Sequence, residues 1–225
     1  MNKNLKKIII QYYLNSIKSK SKKDFLKNLV NYYFRGYNES FTYLFLKNNE
    51  IIKYFINTMD QERVYVCHKK FFDNNIPKTC SCGKSLDDLI KSEVSLIKKL
   101  QNYEYFPKLI EYDIENKYYI MENCGKTLKQ ITNDNVIYLP KNWNNQLAEI
   151  DNILEENNMY QNDHNIANIC IKDNIIKIID FGCIHNLEIL RNNENFKNTH
   201  NFNYENFLII FTDFINAYED KIKFI

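Results

Sequence analysis

The stretch that decides the fold reads Tyr160-Gln161-Asn162-Asp163-His164-Asn165-Ile166-Ala167-Asn168-Ile169-Cys170-Ile171, then Lys172-Asp173-Asn174, then Ile175-Ile176-Lys177-Ile178-Ile179-Asp180-Phe181-Gly182. Two short apolar runs flank a polar turn, which is the pattern of a hairpin. A loop carrying Asp163 and, five residues later, Asn168 feeds the first run. The second run leads straight into Asp180. A hairpin of this kind gathers three oxygen-bearing side chains at one of its ends.

Such a set suits phosphoryl transfer. That chemistry asks for one carboxylate near an attacking hydroxyl, with an amide and a second carboxylate to hold Mg²⁺ against phosphate oxygens. Composition permits a folded enzyme. The 225 residues suit one domain or two small lobes, and 44% apolar residues exclude a disordered chain. Asn, Lys and Ile are used heavily, which suggests an AT-rich genome. Net charge is only +2, but residues 1–28 hold eight Lys against one acidic residue. That basic stretch could meet nucleic acid or an acidic membrane surface, although a solvated face is the simpler reading. The run Ile8-Ile9-Ile10 is too short for a signal core, and no apolar run approaches the roughly 20 residues of a membrane span. The six cysteines form no disulfide framework, so reduced thiols in the cytoplasm are expected.

Taken in order, residues 1–36 read as helical, with Phe25, Leu26, Leu29, Val30 and Tyr33 in helical period and Gly36 as the terminating cap. Phe41–Leu46 and Ile51–Ile56 read as a hairpin, and Arg63–Phe72 as a third strand. The Cys80-Ser81-Cys82 loop, with Cys67 and His68, is a weak zinc signal. Two further ligands at usable spacing are needed, and neighbours in a strand point to opposite faces. Residues 85–103 form an amphipathic helix with Leu89, Val94, Ile97 and Leu100 inward and Glu93 beside that stripe. Phe106–Tyr112 and Lys117–Met121 are two more strands. Gly125 marks a hinge, Thr127–Ile131 a short helix, Trp143–Asn158 a longer one, and Tyr204–Tyr218 the last.

This order of elements resembles the protein-kinase superfamily over roughly residues 41–185. The resemblance implies an α+β, two-lobed fold: a five-stranded antiparallel N-terminal-lobe sheet with one key helix, and a short, mainly helical C-terminal lobe. Boundaries follow as a basic helical extension over 1–40, an N-terminal lobe over 41–122 and a reduced C-terminal lobe over 123–225. Asp163 matches the catalytic-loop Asp that accepts the hydroxyl proton. Asn168 and Asp180 match the metal-binding Asn and Asp. Val66-Cys67-His68-Lys69 resembles Val-Ala-Ile-Lys, making Lys69 the candidate for gripping the α and β phosphates. Lys70 and Lys53 are its rivals. Small Cys67, on the face of Lys69, favours Lys69 over Lys70. Lys53 follows Gly36 at a distance that faintly resembles a glycine loop and strand. Glu93 matches the helix Glu that positions the lysine. Met121-Glu122-Asn123-Cys124 looks like gatekeeper and hinge, with the backbone of Glu122 and Cys124 facing adenine.

The resemblance therefore implies an ATP- and Mg²⁺-dependent kinase, of serine/threonine protein-kinase type, acting on a hydroxyl of a protein or small molecule. Departures point to an atypical, compact member similar to RIO kinases, lipopolysaccharide-core kinases and aminoglycoside phosphotransferases. No glycine-rich loop is evident: if the Phe41–Ile56 hairpin is the first strand pair, its tip reads Lys47-Asn48-Asn49-Glu50. Gln161-Asn162 stands where His-Arg is usual, so activation through a phosphorylated loop is not expected. Asn165 replaces the usual Lys or His, and no Ala-Pro-Glu follows Gly182. A pseudokinase, binding nucleotide or serving as a scaffold, is the alternative. AT bias and compactness suit a large DNA virus, which would put the protein in the host cytoplasm or virion.

Overall fold

Aromatic and β-branched residues dominate three runs, and each is a strand: β1 over Tyr33–Asn38, β2 over Thr42–Lys47 and β3 over Glu50–Phe55. The computed structural model describes residues 33–38, 42–47, 50–55, 86–161, 163–182, 184–191 and 202–225. The basic stretch at 1–28, the expected strand Arg63–Phe72 with Cys67, Lys69 and Lys70, and the Cys80–Cys82 loop lie outside these residues. Helix α1 spans Leu86–Leu100, and strands β4 (Leu109–Asp113) and β5 (Tyr118–Glu122) follow it. The chain is α+β. Strands β1-β2-β3-β5-β4 form one sheet in that order, with every pairing antiparallel.

The sheet differs from the expected one in its members. Residues 33–36 do not continue a helix, and Gly36 is not its cap. Gly36 sits in β1 opposite Leu44, where the register shifts after Phe34. A residue without a side chain suits such a bulge, and the Tyr-Phe-Arg-Gly-Tyr run carries β-forming aromatics on both sides of it. The hairpin read from Phe41 to Ile56 is present as β2–β3, paired from Thr42↔Phe55 to Lys47↔Glu50. It is the second antiparallel pairing, however, because β1 precedes it.

Alternation then sets what faces the core. Ile51, Lys53 and Phe55 share one face of β3, opposite Met121, Tyr119 and the end of β5. Ile51, Phe55, Tyr119 and Met121 are all buried with Ile90, Val94, Ile97 and Leu100 of α1. Asp87 and Asp88 lie in the first turn of α1 and Lys98 and Lys99 in its last, each favourable to the helix dipole.

Beyond β5, Gly125 turns the chain at φ +85, with its backbone so close to Ile171 that a Cβ would stand 2.4 Å from the Ile171 carbonyl oxygen. Strand β6 (Lys126–Thr127) leads to α2 (Leu128–Ile131), closed by a capping box between Thr127 and Gln130. Strand β7 (Ile137–Leu139) precedes α3 (Trp143–Glu156), which buries Leu147, Ile150 and Leu154. Strands β8 (Met159–Gln161), β9 (Ile169–Lys172), β10 (Ile175–Ile178) and β11 (Ile184–Asn186) follow, then helices α4 (Leu187–Arg191) and α5 (Phe202–Ala217), and β12 (Ile222–Phe224).

The β9–β10 hairpin is as read from the sequence. Asp173 and Asn174 both take positive φ, the requirement of a two-residue turn that matches strand twist. Gln146 of α3 fastens it, donating to the Asn174 carbonyl at 3.0 Å and accepting from the Ile176 amide at 2.8 Å. Trp143 of α3 stacks on Phe211 of α5 with centroids 5.6 Å apart. Cys124 and Cys170 are buried thiols not joined in a disulfide. No helix among the described residues is long and apolar enough to cross a membrane.

Asp151 of α3 is buried and faces the start of α5, accepting from the Tyr204 amide and the Asn203 side chain. Burial, with Glu155 adding to it, pushes its carboxyl from 3.8 up to about 6. The folded state thus binds this proton more tightly than the unfolded chain. The associated stability is complete below pH about 4 and is lost as pH rises through about 6. Urea midpoints measured from pH 4 to 8 should therefore fall for wild type relative to Asp151→Asn across that window. Parallel profiles for the two proteins would contradict this account.

Candidate functional site

Lys53 is a cation on an apolar face, and two carboxylates satisfy it. Its Nζ lies 2.8 Å from Glu93 Oε2 and 3.0 Å from Asp180 Oδ1. Glu93 is there because α1 presents it between Ile90 and Val94 toward the sheet. Asp180 is there because β10 ends two residues earlier. The Tyr119 hydroxyl, from the cross-strand neighbour of Lys53, donates to the same Glu93 Oε2 at 2.7 Å. Lys53 is only 5% exposed and Glu93 2%.

One ammonium serving two carboxylates splits their behaviour. Burial alone would lower the Lys53 pKa, but Asp180 and Glu93 outweigh it and hold the ammonium well above its ordinary range. Burial raises Glu93, with Lys53 opposing and Asp180 assisting. Burial opposes ionisation of Asp180 as well, but Lys53 and the Gly182 amide hold it below the ordinary carboxylate range. Asp180 is the less buried of the two carboxylates, with a side chain 24% exposed. The lysine paired with Glu93 and Asp180 is thus Lys53. The expectation that Lys69 fills this role is replaced, and Lys69 itself lies outside the described residues.

Asp180 adopts φ +68, a left-handed conformation uncommon for a residue with a side chain. The Gly182 amide donates back to its Oδ1 at 3.3 Å. A Cβ on Gly182 would stand 3.2 Å from Glu93 Oε1, so glycine admits that carboxylate. Phe181 turns into the core near Phe106, with centroids 6.4 Å apart.

Asp163 and Asn168 meet directly. Asn168 Nδ2 donates to Asp163 Oδ2 at 2.8 Å and to the Asp163 carbonyl at 3.2 Å. Because a carboxylate only accepts, this contact fixes the orientation of the amide and turns Oδ1 away. The Asn168 carbonyl accepts from the Ile179 amide at 2.9 Å, which holds the loop beside the approach to Asp180. Asn165 steadies the loop, its side chain accepting from the Ala167 amide at 2.9 Å. His164 is packed edge-on to Phe207, and burial pushes its imidazole down to about 4, so it brings no cation at neutral pH.

Gln161 joins the two loops. Its Nε2 donates to the Asp180 carbonyl at 2.9 Å and its Oε1 accepts from the Asp163 amide at 3.3 Å. Its own amide donates to Asn203 Oδ1 at 2.8 Å. Gln161 and Asn203 are both buried. Asn203 has no local signature, and Gln161 enters the sequence reading only as a departure, standing with Asn162 where His-Arg is usual; its role in joining the loops is not read there.

Met121 is buried, and Glu122 turns to the β9–β10 hairpin, with Oε1 2.9 Å from Lys172 Nζ and 3.2 Å from Lys177 Nζ. The Glu122 carbonyl takes the Cys124 thiol at 3.7 Å. Burial opposes the Glu122 charge, but Lys172 and Lys177 win and lower its pKa.

Among the described residues, no three His, Cys, Asp or Glu side chains cluster as a metal cage. Mg²⁺ shared with phosphates needs less, one or two protein oxygens being enough. Asn168 Oδ1 and Asp180 Oδ2 receive no hydrogen bond from the described residues, and Lys53, Glu93 and Asp180 together carry one surplus negative charge. That donor set fits a hard cation. No protein-family model matches the chain, and no curated protein matches it in sequence.

Replacing Gln161 by Leu keeps its volume but strands the Asp163 amide and the Asp180 carbonyl. Unfolding in urea should show a loss of roughly 2–3 kcal/mol. A loss below about 0.5 kcal/mol, the range of an ordinary surface change, would mean that this amide does not tie the loops.

Proposed function

We propose that this chain is an ATP- and Mg²⁺-dependent phosphotransferase of protein-kinase-like, two-lobed architecture, passing the γ-phosphoryl group to a hydroxyl. One observation carries the reading: Lys53, Glu93 and Asp180 converge from a strand, a helix and a hairpin end, with Lys53 and Asp180 127 residues apart. The strand order β1-β2-β3-β5-β4, with α1 lying between β3 and β4 in the chain among the described elements, supports it. So does the meeting of Asp163 with Asn168 one glutamine away from Asp180.

In this reading the Lys53 ammonium, kept charged by its carboxylates, binds the α and β phosphates. Glu93 holds Lys53 in place. Asn168 and Asp180 would hold Mg²⁺, which when bound neutralises charge on the phosphate oxygens. Asp163 orients the acceptor hydroxyl and takes its proton as oxygen bonds to the γ phosphorus and the β–γ bridging bond breaks, releasing ADP. The Met121–Cys124 segment meets adenine. The acceptor is a serine or threonine hydroxyl of a protein, with a small-molecule hydroxyl the lesser choice.

A nucleotide-binding module that transfers no phosphate is the second reading. It is favoured by the single glycine, Gly36, in the β1–β2 pair that would cover the phosphates. ATP should raise the melting temperature of purified protein, more so with Mg²⁺. Wild type should turn over ATP, Lys53→Met should lower kcat/KM by about a hundredfold or more, and Asp180→Ala should abolish turnover. Identical background in wild type and Asp180→Ala, with the ATP shift intact, selects the second reading. Absence of any ATP shift sinks both.

A further inference from the structure

We propose that Tyr119 is a positioning residue that locks Glu93, and through it Lys53, in the phosphate-binding geometry without an activating modification; this rests on the phosphotransfer reading above. Glu93 Oε2 accepts from Lys53 at 2.8 Å and from the Tyr119 hydroxyl at 2.7 Å. The two donors are a cross-strand pair on one face of the sheet. The sheet therefore grips α1 at Glu93 twice, once by a cation that must also serve Asp180 and phosphate, and once by a neutral hydroxyl with no other duty in the site.

That division matters when Lys53 turns toward phosphate. Glu93 is buried, and a buried carboxylate with one shared donor is poorly satisfied. The tyrosine hydroxyl keeps Glu93 in place while Lys53 divides its bonds. Its ring is held separately, tilted against Phe55 with centroids 5.9 Å apart and only 1% exposed. The hydroxyl thus arrives preorganised, with no side-chain freedom to lose.

The lock also answers a feature of the catalytic loop. Gln161-Asn162 supplies no arginine to read a phosphorylated segment. Gln161 instead bonds the backbone of both loops. The placement of Glu93 against Lys53 is then secured from inside the sheet, by β5.

Tyr119→Phe removes only the hydroxyl and keeps the ring. In full-length protein, ATP turnover should show kcat lower by roughly tenfold with KM changed less than about threefold, because displacement of a positioned group acts on the reacting geometry. The same change made in Glu93→Met should have no further effect on kcat or on the urea midpoint, although it lowers the midpoint in wild type. Glu93→Met replaces a buried carboxylate by an apolar chain of similar length that offers no strong acceptor; if it fails to fold, Glu93→Leu serves as the background. An active wild type indifferent to Tyr119→Phe overturns the positioning role alone. So does a loss of equal size in the Glu93 variant, which would mark the hydroxyl as packing. A wild type without Asp180-dependent turnover overturns the phosphotransfer reading and this role with it.

Discussion

One buried ammonium group divided between a buried and a part-buried carboxylate sets the relative placement of everything else. Lys53 reaches Glu93 across 40 residues and Asp180 across 127. No local preference can make such contacts; they exist only when strand, helix and hairpin are packed correctly. Buried ion pairs contribute little net stability, because desolvation offsets attraction, yet removing one partner costs about 3–5 kcal/mol by leaving a charge without its counterpart. The cluster therefore discriminates between correct and incorrect packing more than it stabilises. Its surplus negative charge sits at the Asp180 side, where the site is least buried, and this is the physical basis for reading a cation seat there.

Around that charged centre the supports are neutral. Gln146, Gln161 and Asn203 are buried amides, and each both donates and accepts. An amide can serve one backbone N–H and one backbone C=O at once, and it does so identically at every physiological pH. Charged groups in these places would have added desolvation cost and made loop geometry depend on protonation. Satisfied polar networks of this type rigidify the segments they join. Here they join α3 to the hairpin and, through Gln161, α5 to the segments carrying Asp163 and Asp180.

What was legible in the sequence was local. The β9–β10 hairpin showed in its apolar runs and its Asp-Asn turn, α1 and α3 in their apolar period, and Glu93, Asp163, Asn168 and Asp180 in spacing along short segments. Lys53 was legible too, though by a different signal. It occupies the middle of the alternation Ile51-x-Lys53-x-Phe55, an inward cation between two core residues. The likeness of Val66-Cys67-His68-Lys69 to Val-Ala-Ile-Lys points to Lys69, whereas Lys53 is the lysine that meets Glu93. β1 was obscured because a helical period was carried past its end and a bulge glycine looked like a cap. The three-residue strands β7, β8, β11 and β12 are too short to have a period. Gln161 and Asn203 meet 42 residues apart, so no window of sequence holds both.

The pairing of β12 with β7 has a consequence for the order of assembly. Ile222 sits opposite Ile137 in parallel register, and Ile225 exchanges hydrogen bonds with Leu139 and Lys141. The loop so closed, about 85 residues long, encloses Asp163, Asn168, Asp180 and the whole of α5. A growing chain cannot close it until residues 222–225 have emerged from the ribosome. The sheet and α1 can pack before this clasp forms, so the segment carrying Asp163, Asn168 and Asp180 is enclosed after the sheet and α1 are in place.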